Sequence, residues 1–148
     1  HDWTRVNCAV GSTLAVIGER WTLLVLRETF LGVRRFEQLQ RHTGVARNIL
    51  SDRLNTLVLH GILRRELYQD RPERYEYRLT EKGLDLYPVL LTIMDWGSKH
   101  LGGGAMRLTH KGCGATVMPH LACPDCGEQV TARDVRAVRE EAALGQTS

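Results

Sequence analysis

A short segment towards the C-terminal end of the 148-residue chain carries side chains that can hold a metal ion. His110 and Cys113 are three residues apart, Cys123 and Cys126 repeat that spacing, and a glycine follows each pair. Three thiolates and one imidazole can complete a tetrahedral zinc site, and two such knuckles separated by nine residues are typical of a small ribbon. Because protein ligands would fill all four positions, the predicted zinc is structural.

Other interpretations of this cluster stay open. His120 also precedes a cysteine by three residues and competes with His110 as the fourth ligand. The segment could instead be a reduced, metal-free remnant, or Cys123 and Cys126 could form a redox pair. We favour zinc, because a module of fewer than about 40 residues usually needs a metal, a disulfide or a partner surface to hold its shape. Zinc is the only cofactor that the sequence predicts.

Arginine is concentrated in the centre of the chain. Residues 34 to 78 contain ten arginines and six acidic residues, so ten minus six gives this segment a net charge of +4. Every cation in it is an arginine, the side chain best suited to bidentate contact with phosphate and guanine. Charge alone is equally compatible with a solvated basic face, so the interpretation depends on the elements that position these side chains.

The spacing of apolar residues predicts a pair of helices in this central segment. Helices are expected over about 8–17 and 21–31, followed by a short helix over 35–43. A turn containing Gly44 leads into an amphipathic helix over about 46–60. Its predicted buried stripe comprises Ile49, Leu50, Leu54, Leu57 and Val58. Two helices joined by a short glycine-containing turn are the outline of a DNA-binding helix-turn-helix.

The periodicity changes after this pair of helices. Residues 62–68 and 75–79 alternate like two strands around a polar turn that contains Pro72, which predicts a β-hairpin wing. Thr80 is a candidate N-cap for a last helix that runs to about residue 101, with a bend or restart at Pro88. The predicted fold class is therefore mainly α with a small β-hairpin wing (α+β), a winged helix-turn-helix followed by a short zinc-ribbon-like module.

Composition changes divide the chain into three parts. Residues 1–101 form the predicted DNA-binding and dimerisation domain, 102–105 a glycine linker, and 106–148 the zinc-ribbon tail with a charged C-terminal segment. No apolar run approaches the ~20 residues needed to cross a bilayer. The first residues lack the pattern of a secretory signal. A cytoplasmic location with no membrane partner is therefore expected.

Several motifs of the first hundred residues carry a resemblance. They include a tryptophan in the second helix and a Tyr-Glu-Tyr strand that leads into Leu-Thr, within the segments Gly18–Arg27, Arg35–Leu39, Leu50–Leu54, Gly61–Leu63 and Tyr75–Gly83. Over about residues 8–100 the chain resembles the HxlR family of bacterial transcriptional regulators, relatives of the MarR regulators. The resemblance implies a homodimeric winged helix that binds palindromic operators. Many members carry two prolines in the wing, whereas this chain has only Pro72 there.

The candidate DNA contacts are the outward residues of the helix-turn-helix and the wing. Arg47 is suited to guanine and Asn48 to adenine, while Ser51 suits either a base or a phosphate. Asp52 could accept from cytosine or hold Arg53 in place. The complete predicted set is Arg35, Ala46, Arg47, Asn48, Ser51, Asp52, Arg53, Arg71 and Arg74. Any one of them alone is as often an ordinary surface residue, so the prediction depends on their common frame.

The first and last helices of this domain carry more apolar residues than a small core needs, which predicts a homodimer. Cys8, at the start of the first helix, has two interpretations. Some members of the resembled family sense oxidants or electrophiles through a cysteine at this position. The alternative is a small buried apolar residue.

These observations together predict a sequence-specific DNA-binding repressor that responds to a small molecule or to redox stress. The alternative is a protein-interaction module that uses the winged helix and the ribbon as docking surfaces. An enzyme is disfavoured, because no nucleophile–base–acid constellation is evident and the expected zinc has no open position.

Overall fold

The computed structural model describes residues 8–104 and 106–139. Its elements follow in the order α1 (Ala9–Ile17), α2 (Arg20–Phe30), α3 (Phe36–Thr43), α4 (Arg47–Leu59), β1 (Leu63–Gln69), β2 (Arg74–Leu79), α5 (Glu81–Leu84), α6 (Tyr87–His100), β3 (Leu121–Ala122), β4 (Gln129–Val130) and a 3-10 turn (Ala132–Asp134). The mixed fold of helices and a small antiparallel hairpin is confirmed. Across the two described ranges no single helix has the length and apolarity to cross a membrane. Helices α1 and α2 have that length and apolarity only when they are taken together, and the chain bends by 79° between them.

The core of the domain lies where α2 packs against α3 and α4. Leu50, Leu54 and Leu57 of α4 are fully buried, as are Val25 of α2 and Leu39 of α3. Burial of each such side chain contributes about 1.5–3 kcal/mol, so these contacts fix which face of α4 turns inward. Among the predicted stripe residues, Ile49 is the exception because it is 37% exposed at the margin of that face.

The helix predicted over residues 80–101 is divided in two. Thr80 is the N-cap of α5, as predicted, and its hydroxyl accepts a hydrogen bond from the Gly83 amide. Helix α5 ends at Leu84, and α6 begins at Tyr87 with Pro88 in its first turn. Proline is tolerated there because a first-turn amide has no partner within the helix. The restart expected at Pro88 is therefore confirmed.

The wing is a two-stranded antiparallel hairpin. Leu63 pairs with Leu79 and Leu67 with Tyr75, and an irregularity follows Leu67 near the turn. The amide of Tyr77 donates a hydrogen bond of 2.7 Å to the carbonyl oxygen of Arg34. This bond attaches β2 to the segment before α3, so the wing and the helix-turn-helix share one frame.

The tail contains two small hairpins, the first of which shares the walls of a cleft with α6. The first is closed by a bridge between Thr109 and Thr116, and the second is β3 with β4. The backbone φ of the three linker glycines 102–104 is positive, between 76° and 92°, a conformation that favours glycine. A Cβ on Gly104 would lie 2.7 Å from the Ser98 hydroxyl of α6, so the linker turns the tail back onto this helix. Residues 1–7, 105 and 140–148, including the end of the charged segment, lie outside the described residues.

Two glycines provide a matched test of this packing. A Cβ on Gly83 would lie 2.2 Å from the carbonyl oxygen of Ile62, whereas one on Gly97 in α6 would meet no described heavy atom within 4 Å. We expect Gly83→Ala to lower the free energy of unfolding by about 1–3 kcal/mol, because the backbone must move. Gly97→Ala should instead raise it by about 0.5–1 kcal/mol, because alanine favours a helix. Urea denaturation measures both, and an equal effect of the two changes would contradict this packing.

Candidate nucleic-acid interface

The outward face of α4 is set by the burial of its opposite side. Ala46, Arg47, Asn48, Ser51 and Asp52 are all exposed. The turn before α4 is held by Gly44, which ends α3 in the left-handed conformation at φ 72°. Val45, the next residue, is fully buried and packs the turn against the core. Five of the predicted contact residues therefore share one solvent-facing surface at the start of α4.

Arg47 is held in place by two residues of α3. Its Nη1 donates a hydrogen bond of 2.9 Å to Oε2 of Glu37. Its guanidinium carbon lies 4.9 Å from the centroid of the Phe36 ring. The hydrogen bond from Arg47 lowers the pKa of the Glu37 carboxyl and raises that of the guanidinium, so both groups are charged at neutral pH. The exposed pair adds little stability but orients the side chain.

Arg35 joins the helix-turn-helix to the wing. Its guanidinium carbon lies 4.0 Å from the centroid of the Tyr68 ring in β1. Its Nη2 donates a hydrogen bond of 3.4 Å to Oε1 of Glu76 in β2. A second stack in the wing places Arg65 4.2 Å above the Tyr75 ring. Arginines on aromatic rings lose less freedom when they bind an anion, because their planes are already oriented.

A cleft between α3, α4 and the wing brings part of the predicted set together. Its volume is about 760 Å³, and its walls include Arg35, Arg47 and Arg74. Burial raises the pKa of the phenol of Tyr77, which also lines the cleft, so that group is neutral in ordinary buffers. Arg71 is exposed on the wing turn but is not part of the cleft wall.

Arg53 differs from the other predicted contacts. Its side chain is 25% exposed and forms ion pairs with Asp52 and with Glu19, the N-cap of α2. This geometry favours the second of the two roles considered for Asp52, that of holding Arg53. The arginine thus connects α4 to the start of α2, which makes it a positioning residue in this structure.

Helices α3 and α4 begin without a side-chain cap. Cys8, Glu19 and Thr80 cap α1, α2 and α5, whereas Arg35 and Ala46 make no capping hydrogen bond to the described residues. The first amides of a helix need acceptors, and a phosphate oxygen is a favourable one. Both helix starts on this face can therefore accept a nucleic-acid backbone.

The sequence interpretation missed the residues that shape this surface. Phe36, Glu37, Tyr68 and Tyr75 support the arginines without belonging to the predicted contacts. The available signal was the alternation of tyrosine and arginine along the two strands. This alternation does not show which tyrosine supports which arginine, because the stack of Arg35 on Tyr68 joins residues 33 positions apart.

The two knuckles of the tail adopt the same turn. In each, the glycine at φ 78° donates its amide hydrogen to the carbonyl of the first ligand, over 2.7 Å from Gly114 to His110 and 2.8 Å from Gly127 to Cys123. In each, the amide of that first ligand donates over 2.8 Å to the carbonyl five residues on. Both knuckles therefore have the tight turn that a metal-binding pair requires.

The predicted metal ligands come together in pairs. Nδ1 of His110 lies 3.3 Å from Sγ of Cys113. The pKa of the Cys123 thiol is lowered by hydrogen bonds from the backbone of Cys126 and Asp125 and from the Cys126 side chain. Across the described ranges, no group of three or more potential ligands is gathered around one point. Each knuckle thus has the form of half a tetrahedral site.

Cys8 is half-buried at the start of α1. Its Sγ accepts a hydrogen bond of 3.5 Å from the Gly11 amide, which makes the cysteine the N-cap of this helix. The thiol therefore has a structural role at the helix start. Its predicted role in redox sensing stays a prediction.

Comparison with known proteins identifies the class of this domain. The model of the HxlR-like helix-turn-helix family matches residues 16–104, which is more than half of the chain. The chain belongs to the HxlR family. The resemblance noted in the sequence is thereby confirmed, and the chain is a helix-turn-helix transcriptional regulator.

Individual HxlR relatives extend this comparison beyond the winged domain. The HTH-type transcriptional regulator Rv3095 of Mycobacterium tuberculosis is 49% identical over 130 residues, covering 86% of this chain and 82% of its own. PA1607, a candidate transcription factor, is 33% identical with a TM-score of 0.83, covering 95% of this chain and all of its own. The redox regulator HypR in its reduced form is 32% identical with a TM-score of 0.59, covering 64% of this chain and 96% of its own. Similarity to PA1607 therefore includes the tail.

Proposed function

We propose that this HxlR regulator is a repressor that binds a palindromic operator as a homodimer and reads base edges with the start of α4. The observation that carries the proposal is the cleft in which Arg35, Arg47 and Arg74 line one surface. A helix fits the major groove, where base edges differ in their donors and acceptors, and the wing reaches the adjacent backbone. Family membership favours this function over a protein-docking module.

The residues divide into two kinds of contact. Arg47 and Asn48 are exposed on the first turn of α4 and are the proposed base readers. Arg35 and Arg74 on the cleft wall, with Arg71 on the wing turn, are the proposed phosphate contacts. The uncapped start of α4 adds backbone amides to this second group. Base contacts give sequence preference, whereas phosphate contacts give affinity that falls with salt.

The Arg47→Ala variant tests the proposed reader. After selection of a binding sequence from genomic fragments, we expect this change to weaken binding by about 1–3 kcal/mol and to reduce the preference over random DNA. Fluorescence anisotropy at two salt concentrations measures both effects. The charge-matched control is Arg107→Ala, because Arg107 lines a separate cleft between α6 and the tail. Equal effects of the two changes would mean that Arg47 contributes charge alone.

The proposed dimer uses the outer faces of α1 and α6. Val10 and Leu14 of α1 are 69% and 57% exposed, and Ile93 of α6 is 48% exposed. Together with Val89 they line one apolar groove of about 350 Å³ that runs between the two helices. Burial of this face against a second copy would remove the apolar surface from water. It would also place the two copies of α4 on the same side of the dimer, where both could contact one DNA duplex.

The Ile93→Glu variant tests this face. We expect light scattering to give a dimer for the parent protein and a monomer of 16.8 kDa for the variant, because a buried unpaired carboxylate opposes association. Leu59→Glu is the matched control, since Leu59 is 83% exposed at the end of α4, away from this groove. A parent monomer at micromolar concentration, or a variant that still dimerises, would contradict the proposed face.

We also propose that the tail binds one structural zinc ion through His110, Cys113, Cys123 and Cys126. The two identical knuckle turns support the proposal, since each presents two ligands. The pairs must close on each other to share one ion, so binding and the final folding of the tail are one event. Zinc would supply no reaction step there, because protein ligands fill its coordination sphere.

Elemental analysis of protein purified without a metal-affinity tag tests the zinc proposal. We expect about one zinc per chain for the parent and none for Cys123→Ser, with the winged domain still folded by circular dichroism. Cys8→Ser is the matched control and should keep the metal, because Cys8 lies outside the tail. A metal-free parent with Cys123 and Cys126 joined in a disulfide would support the redox pair instead, and one with free thiols would support the remnant.

A further inference from the structure

A further cavity lies between the winged domain and the tail. It is formed by the end of α2, the inner face of α6, the glycine linker and the first strand of the tail. Its volume is about 520 Å³, within the range of about 300–1,000 Å³ that is usual for small-molecule sites. None of the proposed DNA contacts lines it, so the cavity is separate from the nucleic-acid interface.

The walls of this cavity suit a flat apolar molecule. The Phe30 and Tyr87 rings meet edge to face with their centroids 5.1 Å apart. Both rings line the cavity, as do the thioethers of Met94 and Met106. Thioether sulfur and aromatic edges make favourable contacts with another aromatic ring. Met106 belongs to the tail, so the site is complete only when the tail lies against α6.

The charged side chain of the cavity wall that a ligand can reach is the guanidinium of Arg27. Arg27 and Glu28 both line it, but the Glu28 side chain is only 8% exposed and both of its oxygens already have partners. The Arg27 side chain is 39% exposed and uses Nε and Nη2 to bind Glu28. Its Nη1 makes no hydrogen bond to the described residues. Charge complementarity therefore favours an anionic group on the ligand.

The same carboxylate connects the cavity to the DNA-binding helices. Oε1 of Glu28 accepts from Arg27 at the cavity wall, and Oε2 lies 3.0 Å from Nδ1 of His42 in α3. Helix α3 in turn holds Arg47 through Glu37. An anion bound to Nη1 of Arg27 would compete with Glu28 for the guanidinium. A weaker pair between Arg27 and Glu28 would change the hydrogen bond between Glu28 and His42, and with it the position of α3.

We propose that this cavity binds a small aromatic anion, and that binding there weakens the affinity of the regulator for DNA through Arg27, Glu28 and His42. This coupling rests on the proposed function, whereas binding at the cavity does not. Thermodynamic linkage requires DNA to weaken the binding of the anion by the same factor.

The probe is anilinonaphthalene sulfonate, a fluorescent aromatic anion, titrated into the full chain. We expect one saturable site per chain. Gly97→Leu should weaken binding at least about tenfold, because a leucine there fills the cavity without meeting described atoms at its Cβ. Lys99→Leu is the matched control on the same helix, since residue 99 is exposed and outside the cavity wall, and it should leave binding unchanged.

Arg27→Gln tests the charge of the ligand. We expect the variant to bind the sulfonate about tenfold more weakly, the loss typical of a charge-assisted hydrogen bond, while an uncharged anilinonaphthalene binds it as it binds the parent. Absence of dye binding to the parent, or equal binding by Gly97→Leu and the parent, overturns the site. A Gly97→Leu variant with a changed oligomeric state would instead assign the cavity to contact with a second copy.

The coupling is measured with the DNA fragment selected above. For the parent protein we expect saturating dye to weaken DNA binding about 5- to 100-fold. His42→Ala should bind the dye as the parent does but lose most of this effect, because the connection to α3 is cut. Dye that binds without changing DNA affinity overturns the coupling alone. A protein that binds dye but no DNA contradicts the proposed function and the coupling, and leaves the site supported.

Discussion

Burial of one face of α4 is the constraint on which the rest of the interface depends. Leu50, Leu54 and Leu57 have no exposed surface, so rotation of the helix about its axis would expose leucine and bury charge. With that rotation fixed, Arg47 and Asn48 face outward on the first turn. The direction of the proposed DNA-reading surface is therefore a consequence of hydrophobic packing on its opposite side.

The arginines on that surface are held by neighbours that are not among the proposed DNA contacts. An aromatic ring lies beneath Arg47 and another beneath Arg35, and a carboxylate partner orients each guanidinium. Oriented side chains lose less conformational entropy when they bind, so the same affinity needs fewer contacts. The hydrogen bond between Tyr77 and Arg34 also restrains the wing, because it joins β2 to the segment that precedes α3.

The tail contributes more to the structure than its proposed metal site. Its linker glycines return the chain to α6, and Met106 then closes a cavity whose other walls belong to the winged domain. Glu28 is buried at that wall and has its second partner in α3, which places one carboxylate between the cavity and the DNA-binding helices. A structural zinc in the tail would stabilise the wall that the tail supplies.

Local sequence signals are sufficient to predict the order of the main elements, the glycine turn between α3 and α4, the restart at Pro88 and the matching knuckles. These features are local, since they depend on periodicity, on capping residues and on glycines a few positions from the segments they end. Three other features follow from tertiary packing: Arg53 pairs with Glu19, Ile49 is partly exposed, and Glu28 is buried between Arg27 and His42. Each of these depends on the distance between elements remote in sequence, and side-chain packing sets that distance where no local pattern records it.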